Sequence, residues 1–503
     1  MEDAVTGPAP GPDVRMAGAR TSAAPGRQWW TLGVISLAQL MVVLDATIMN
    51  IAMPSAQKDL GFSSGDRQWI VTTYALAFGG LLLLGGRLGD RFGRKSAFLI
   101  GLVGFAAASA VGGAATSFTM LVIARALQGM FAALLAPSAL SLLTTTFTES
   151  RQRARAFGVF GAVGGAGSAV GLLLGGVLTE QLSWRWTLYV NLIIAGVAVL
   201  GAVLLLPRPQ DNARPALDLP GTALVVGGLF ALVDGCANAE PHGWASPMTW
   251  GLLVTGAVLL ACFTWWQTRA VSPLLPLRVL TDRTRAASFL SILIAGAGMF
   301  AIFLFLTYYL QQIRHYSPVD NGLAFIPLIA VLVVTSQITT TVLLPRFGPK
   351  PLVPAGMMLA AAGMALLTRL GVDSGYLSHV LPSLLLMGIG MGLVLPTSVS
   401  LATFGVEERF AGAAAATANT TQQIGGSIGT AVLNTLAAAA TSAFAAGRQA
   451  TPATLAAAAV HGYAAAFWCT ACLFVVGAVM AVSLYRPGPV TGQGSAARQP
   501  VHI

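Results

Sequence analysis

Apolar runs of about membrane length alternate along the chain with short polar stretches that carry most of the Arg. A helix that crosses a bilayer needs about 20 mostly apolar residues. The pattern predicts fourteen such spans, at 29–53, 69–88, 96–115, 118–143, 155–178, 186–206, 218–237, 248–267, 286–310, 322–344, 351–369, 378–402, 411–438 and 464–485. The Gly- and Ala-rich segments 155–178 and 411–438 give the weakest signal. The expected fold class is an all-α polytopic membrane protein. The first 28 residues contain no apolar run, so they read as a disordered tail and not a cleavable signal peptide. The first span then acts as its own insertion signal.

Composition agrees with this pattern. The chain is 55% hydrophobic and 9% charged, against roughly 25% charged in soluble proteins. The net charge of +10 raises the question of nucleic acid. The cations instead lie in clusters between apolar runs, as the positive-inside rule requires. With the N-terminus inside, 21 of the 28 Lys and Arg fall on the inner side, six (Lys58, Arg67, Arg185, Arg314, Arg369 and Arg448) on the outer, and Arg125 lies within a span. Both termini are therefore expected in the cytoplasm.

Two short repeats bear on organisation. "RFGRK" (Arg91–Lys95) returns as "RFGPK" (Arg346–Lys350), and Glu149 of "TESRQRARA" is matched by Glu407 of "VEERFAGAA". Offsets of eight spans fit two six-helix halves with two helices inserted between them. Parallel repeats of that kind build transporters whose substrate site lies between the halves. The expected division is a tail 1–28, a bundle 29–206, two linker helices and a loop 207–285, a bundle 286–485 and a tail 486–503.

Charges inside spans are costly and point to function. Asp45 sits in "LMVVLDATIMNIAMP", and Arg125 in "LVIARALQGMFAA". An Arg near the bilayer centre costs on the order of 3 kcal/mol, so it needs a partner. Spans 1 and 4 run in opposite directions, which places Asp45 and Arg125 at similar depth and suggests an ion pair. Asp45 has three readings: a structural partner for Arg125, a direct contact for a cationic substrate, or a proton carrier. Burial favours the neutral acid and a nearby guanidinium favours the ionised one. A movement that alternates the two is what proton coupling needs. Asp45 is the only acid deep in the predicted spans; Asp234 falls near the outer end of span 7.

Other chemistry is weakly supported. Cys469 and Cys472 form a CxxC within an apolar run, where small packing residues are the simpler reading. The five His do not cluster with carboxylates, so neither a metal site nor an enzyme is expected. No G-x-x-x-x-G-K-[ST] occurs, which argues against an ATP-driven pump.

The loop "GGRLGDRFGRKS" resembles the G-x-L-x-D-R-x-G-R-K signature of the major facilitator superfamily, through Gly86, Leu88, Asp90, Arg91, Gly93, Arg94 and Lys95. "LVIARALQGMFAA" is similar to the family's R-x-x-Q-G. "GVFGAVGGAGSAVGLLLGG" resembles its antiporter motif through Gly158, Gly167, Gly171, Gly175 and Gly176, with Leu172 where Pro is usual. "LDATIMNIAMP", "QWIVTTYALA", "WRWTLYVN", "PLLPLRVLTDRTRA" and "TQQIGGSIGTAVLNT" look like the fourteen-span drug:proton antiporter branch, and within it the antibiotic exporters of actinomycetes. The resemblance covers residues 29–485.

It implies a major facilitator fold of two six-helix bundles plus two linker helices, in a bacterial plasma membrane. It also implies proton-driven export of an amphiphilic drug or antibiotic by alternating access, with no cofactor. The glycines of the signature loop permit a tight turn. Asp90 is expected to accept from backbone N–H groups at a neighbouring helix N-terminus, and Arg94 to pair with Glu149, as a cytoplasmic latch. Tyr308, Gln337, Asn419 and Gln422 are candidates for the substrate cavity. A single deep acid favours a neutral or monocationic substrate. An importer or facilitator on the same fold is the alternative, and the span-5 glycines favour export.

Overall fold

The computed structural model describes residues 25–63, 65–147, 149–206, 217–270, 273–274, 282–404, 406 and 408–488. Most of the expected tail 1–28 (to residue 24) and of the tail 486–503 (from 489) lies outside the described residues, as do Arg15, Arg20, Arg208, Arg214, Arg278 and Glu407.

Among the described residues, fourteen helices are long and apolar enough to cross a membrane. The first six are α1 Pro25–Leu60, α2 Arg67–Phe92, α3 Arg94–Gly113, α4 Phe118–Thr146, α5 Ser150–Gln181 and α6 Trp186–Leu205. Two follow as a hairpin, α7 Leu219–His242 and α8 Pro247–Arg269. The last six are α9 Arg283–Ile313, α10 Pro318–Phe347, α11 Pro349–Leu367, α12 Tyr376–Thr403, α13 Glu408–Ala445 and α14 Pro452–Leu484. The two weakest spans of the pattern form the continuous helices α5 and α13. Several helices outrun their apolar run: α1 continues through Pro54 to Leu60, and α14 begins at Pro452 and not at 464. Hydropathy marks only the part of a helix that meets lipid, while backbone hydrogen bonding carries it on into polar sequence.

Several starts carry a side-chain cap. Ser117 accepts from the Met120 N–H, Ser317 from Asp320 and Thr451 from Thr454, each satisfying one of the free donors of a first turn. Asp282 caps α9 through the N–H groups of Thr284 and Arg285. The repeat seen in the sequence has a backbone counterpart. Gly93 between α2 and α3 has φ +90°, and Gly348 between α10 and α11 has φ +71°. A left-handed residue is needed to reverse the chain in a one-residue link, and glycine takes it without steric cost.

Helices α1–α6 form one bundle and α9–α14 a second. Successive helices alternate in direction, so the described chain ends share one face, the terminal face; the opposite face is the far face. The bundles meet along two lateral seams, α2 with α13 and α5 with α10. The α7–α8 hairpin lies beside the first of these. Leu76 of α2 and Ala431 of α13 bury together with Leu229, Val233 and Cys236 of α7, and Thr435 donates to the Cys236 carbonyl at 3.0 Å.

The hairpin is closed at the terminal face by Asp218. Its carboxylate accepts from the Gly221 N–H at 2.9 Å, Trp266 Nε1 at 2.7 Å and Gln267 Nε2 at 2.7 Å. Burial pushes this carboxyl up, but the bonds from Trp266, Gln267 and the Gly221 and Leu274 backbone outweigh it and hold it below the usual carboxylate range. Hydrogen bonds to the ionised form have that effect.

Candidate functional site

The deep charges of the first bundle meet. Arg125 Nη1 donates to Asp45 Oδ2 at 2.6 Å, with Asp45 0% and Arg125 2% exposed. Two amides complete the shell. Gln128 Nε2 reaches Asp45 Oδ1 at 2.9 Å and Asn191 Nδ2 reaches the same oxygen at 2.7 Å. Gln128 Oε1 accepts from Arg125 Nη1 at 2.8 Å, and Arg125 Nε donates to the Ile70 carbonyl at 3.1 Å. Ser109 Oγ accepts from Gln128 Nε2 at 2.7 Å. The Arg125 guanidinium lies 4.3 Å from the centre of the Tyr74 ring.

Five helices supply this cluster: α1, α2, α3, α4 and α6. On α4, Arg125 and Gln128 are three residues apart and so share a face. Closing a charge pair away from water demands that each remaining donor and acceptor be met. Here the carboxylate receives three donors, and the guanidinium meets a carboxylate, an amide, a carbonyl and a ring face. The site therefore holds one buried carboxyl at mid-bundle, paired with a buried guanidinium.

Helix α5 backs this site. A Cβ on Gly171 would lie 2.0 Å from Thr47 Oγ1, and one on Gly175 would lie 2.8 Å from Ile48 Cγ1. Gly167 faces Leu40 and Val43 of α1. The four-residue spacing thus makes one smooth face against the helix that carries Asp45. Gly176 faces across the α5–α10 seam to Pro318 and Val319, and Gly322 of α10 rests on the Leu172 carbonyl. Gly158 meets nothing within 4 Å. With Leu172 in place of proline, α5 runs unbroken from Ser150 to Gln181.

The expected latch takes a different form. Arg94 Nε lies 3.9 Å from Asp90 Oδ1, one turn away in sequence, and Glu149 accepts from Gln152 at 2.6 Å. The Arg94–Glu149 pair is not formed, and Asp90, 54% exposed in its side chain, meets no described helix N-terminus. Arg91 is also exposed. At the terminal face Asp90, Arg91 and Glu149 are open to water, while Arg94 is half-buried. Other residues of the loop make the contacts. Lys95 donates to the Leu206 carbonyl at 2.7 Å at the end of α6, and Arg87 donates to the Pro273 carbonyl beyond α8. The close helix approach belongs to Gly85, whose Cβ would clash with the Ala133 carbonyl, and not to Gly86, which has room.

No hydrogen bond joins the four cavity candidates to one another among the described residues. Tyr308 is fully buried near the far face, where its hydroxyl donates to Gln57 Oε1 at 2.8 Å. Gln337 and Asn419 are exposed, and Gln422 is half-buried on α13. Tyr308 belongs to a junction between the bundles. Arg67, 5% exposed, places its guanidinium 4.2 Å from the Tyr308 ring centre and donates to Asn434 Oδ1 at 3.1 Å. Gln311 Nε2 donates to the Ile51 carbonyl at 2.9 Å, and the Val319 N–H to Glu180 at 3.2 Å. Gln311 stands in the π-helical turn Tyr309–Ile313, a local form common at functional sites. These ties bind the bundles at the far face.

The sequence pattern counted Arg67 among loop cations, but α2 starts two residues before its apolar run and carries Arg67 into the interface. In the sequence, Gln128 and Asn191 are neutral polar residues within the R-x-x-Q-G and "WRWTLYVN" motifs.

A model of the Major Facilitator Superfamily matches residues 35–430. The puromycin resistance protein pur8 of Streptomyces alboniger is 49% identical over 93% of this chain and 94% of its own length. The cephamycin export protein CmcT of Amycolatopsis lactamdurans is 41% identical, over 80% of this chain and 84% of its own. The fold is similar to a crystal structure of a bacterial homolog of the human lysosomal transporter Spinster, in an inward-facing and unoccupied conformation. There the TM-score is 0.65 at 16% identity, covering 92% of this chain and 98% of that one.

Proposed function

The chain belongs to the major facilitator superfamily, and from that premise we propose that it exports an amphiphilic antibiotic in exchange for protons, with puromycin the first substrate to test. The family makes it a multi-pass membrane transporter and not an enzyme. Export of an antibiotic is supported by relatives named for resistance and export that align along most of this chain. Inward proton flow as the drive is supported by one observation above all. Asp45 is an ionisable group at mid-bundle, buried beside Arg125 and backed by the glycine face of α5.

In this reading Asp45 carries the proton and Arg125 holds it in the ionised state until the bundles move. The terminal face is cytoplasmic, because it gathers most of the described Lys and Arg. The far-face ties of Arg67, Tyr308, Gln57 and Gln311 close the outer side while substrate loads from inside. The transporter needs no cofactor, and lipid and protons are its other partners. The protein sits in a bacterial plasma membrane with both termini inside. Its drive is adequate. A proton crossing ~100 mV yields about 2.3 kcal/mol, and roughly one pH unit adds about 1.4 kcal/mol. Together they sustain a gradient of roughly a few hundred-fold for a neutral substrate.

The test is expression in a sensitive bacterium against puromycin and a broad antibiotic panel, with vesicles from the same cells. Resistance to puromycin, with pH-driven puromycin movement in vesicles, is the expected outcome. Asp45→Asn is expected to abolish accumulation driven by a pH difference while downhill exchange continues. Accumulation by Asp45→Asn at the wild-type level returns Asp45 to a structural ion pair.

A further inference from the structure

Three side chains donate to the Asp45 carboxylate, and they differ in what their other atoms do. Arg125 has donors only and stays a donor whatever the charge opposite it. Gln128 is pinned: its Nε2 reaches Asp45 Oδ1 and Ser109 Oγ, while its Oε1 accepts from Arg125 Nη1 at 2.8 Å. Turning that amide over would set an NH2 against a guanidinium. Asn191 is not pinned. Its Nδ2 lies 2.7 Å from Asp45 Oδ1 and 3.4 Å from Ser109 Oγ. Its Oδ1 is buried with no hydrogen-bond partner, on a side chain that is 0% exposed. A buried acceptor left unmet is costly and calls for an explanation.

We infer that Asn191 is the residue that reads the protonation state of Asp45, its amide turning over when the carboxylate takes up a proton. The inference rests on Asp45 as the proton carrier. With Asp45 ionised, Asn191 donates to Oδ1, as observed. A proton arriving on Oδ1 and directed at Asn191 makes that side of the oxygen an O–H donor, which repels the Asn191 N–H, while Gln128 keeps donating to the remaining lone pair. Turning the amide brings the Asn191 carbonyl oxygen to where the NH2 stood. It accepts there from the acid, and from Ser109, whose hydroxyl rotates from acceptor to donor. The proton ends on Asp45, and no covalent bond to Asn191 forms or breaks. The charged and titratable groups facing Asp45 are Arg125 from α4 and Tyr74 from α2. Helices α3 and α6 present Ser109 and Asn191, and α5 presents its glycines. Among the cluster's amides, only Asn191 can serve both states.

The test is an infrared titration of the Asp45 carboxyl C=O stretch in the purified full chain, the band being assigned by its loss in Asp45→Asn. Asn191→Leu keeps the bulk but neither donates nor accepts. A bond to the ionised form is worth more than one to the neutral acid, so its protonation midpoint is expected to rise by about one pH unit. Asn191→Ala is expected to give the same rise, and serves if the Leu variant does not fold. Asn191→Ser can donate and accept, and its midpoint is expected to stay near the wild type. An unmoved midpoint in the Leu and Ala variants, or no Asp45 band at any pH, overturns the inference. Failure of the proton-carrier reading is seen separately, as pH-driven efflux by Asp45→Asn at the wild-type level with the infrared shifts intact.

Discussion

The guanidinium of Arg67 lies 4.2 Å from the centre of the Tyr308 ring, across the junction of the two bundles. Among the described residues no carboxylate stands within ion-pair distance of this buried cation. A ring face and the Asn434 amide hold it instead. The contact ties α2 of one bundle to α9 of the other. A cation over an aromatic ring is worth about 0.5–2 kcal/mol.

Arg67→Ala should therefore favour the state open at the far face. Loss of that contact and of the bond to Asn434 is expected to raise the open fraction roughly tenfold. The measurement is labelling of a Ser55→Cys reporter, at the far-face end of α1, by an impermeant thiol reagent, with and without the Arg67 change. Equal labelling rates would mean that the far-face closure rests on other ties.

Arg125→Lys should leave a folded but poorly active transporter. The ammonium keeps the charge yet cannot reach Asp45, Gln128 and the Ile70 carbonyl from one planar fork. Driven efflux is expected to fall by about tenfold or more, the loss of about one charge-assisted bond. Wild-type efflux in vesicles would show that a point charge suffices beside Asp45.

The glycines of α5 offer a matched pair of changes. Gly171→Ala pushes a methyl to within 2.0 Å of Thr47 Oγ1, whereas Gly158→Ala meets nothing within 4 Å. Overpacking of that kind typically costs about 1–3 kcal/mol. The Gly171 variant is expected to melt earlier in detergent and to transport poorly, and the Gly158 variant to match the wild type. Equal behaviour of the two would detach the motif from the α1–α5 contact.

Asp218 gives a pH dependence with a definite sign. Burial pushes its carboxyl up, but the bonds from Trp266, Gln267 and the backbone hold it below the usual range. A carboxyl lowered by folding stabilises the protein above its unfolded value, and this is lost as pH falls through the folded one. Asp218→Asn should thus melt earlier than the wild type at neutral pH, and the gap should close in acid. Thermal unfolding at a series of pH values measures this, and a gap that persists in strong acid would count against the charge.

The fourteen-span count was legible because lipid imposes a length and a polarity on each helix. Asp45 and Arg125 were legible for the same reason: an isolated charge in an apolar run must find its opposite at the same depth. Asn191 and Gln128 were not. Neutral polar residues recur in these helices, as Ser36, Thr72 and Thr307 do, and only the rotation of each helix decides which of them converge. Arg67 was misplaced because hydropathy locates the lipid-facing run and not the helix start. The Arg94–Glu149 pair did not form: Glu149 is exposed at a helix start, where pairing adds little to what water already gives, and it accepts from Gln152 instead.

The α7–α8 hairpin covers the α2–α13 seam through Leu229, Val233 and Cys236, while the α5–α10 seam is packed by glycines and backbone. The molecule therefore presents two unlike flanks to the bilayer, one shuttered and one bare. One seam is covered by a helical pair and the other is not, so the two flanks of the bundle pair are built differently.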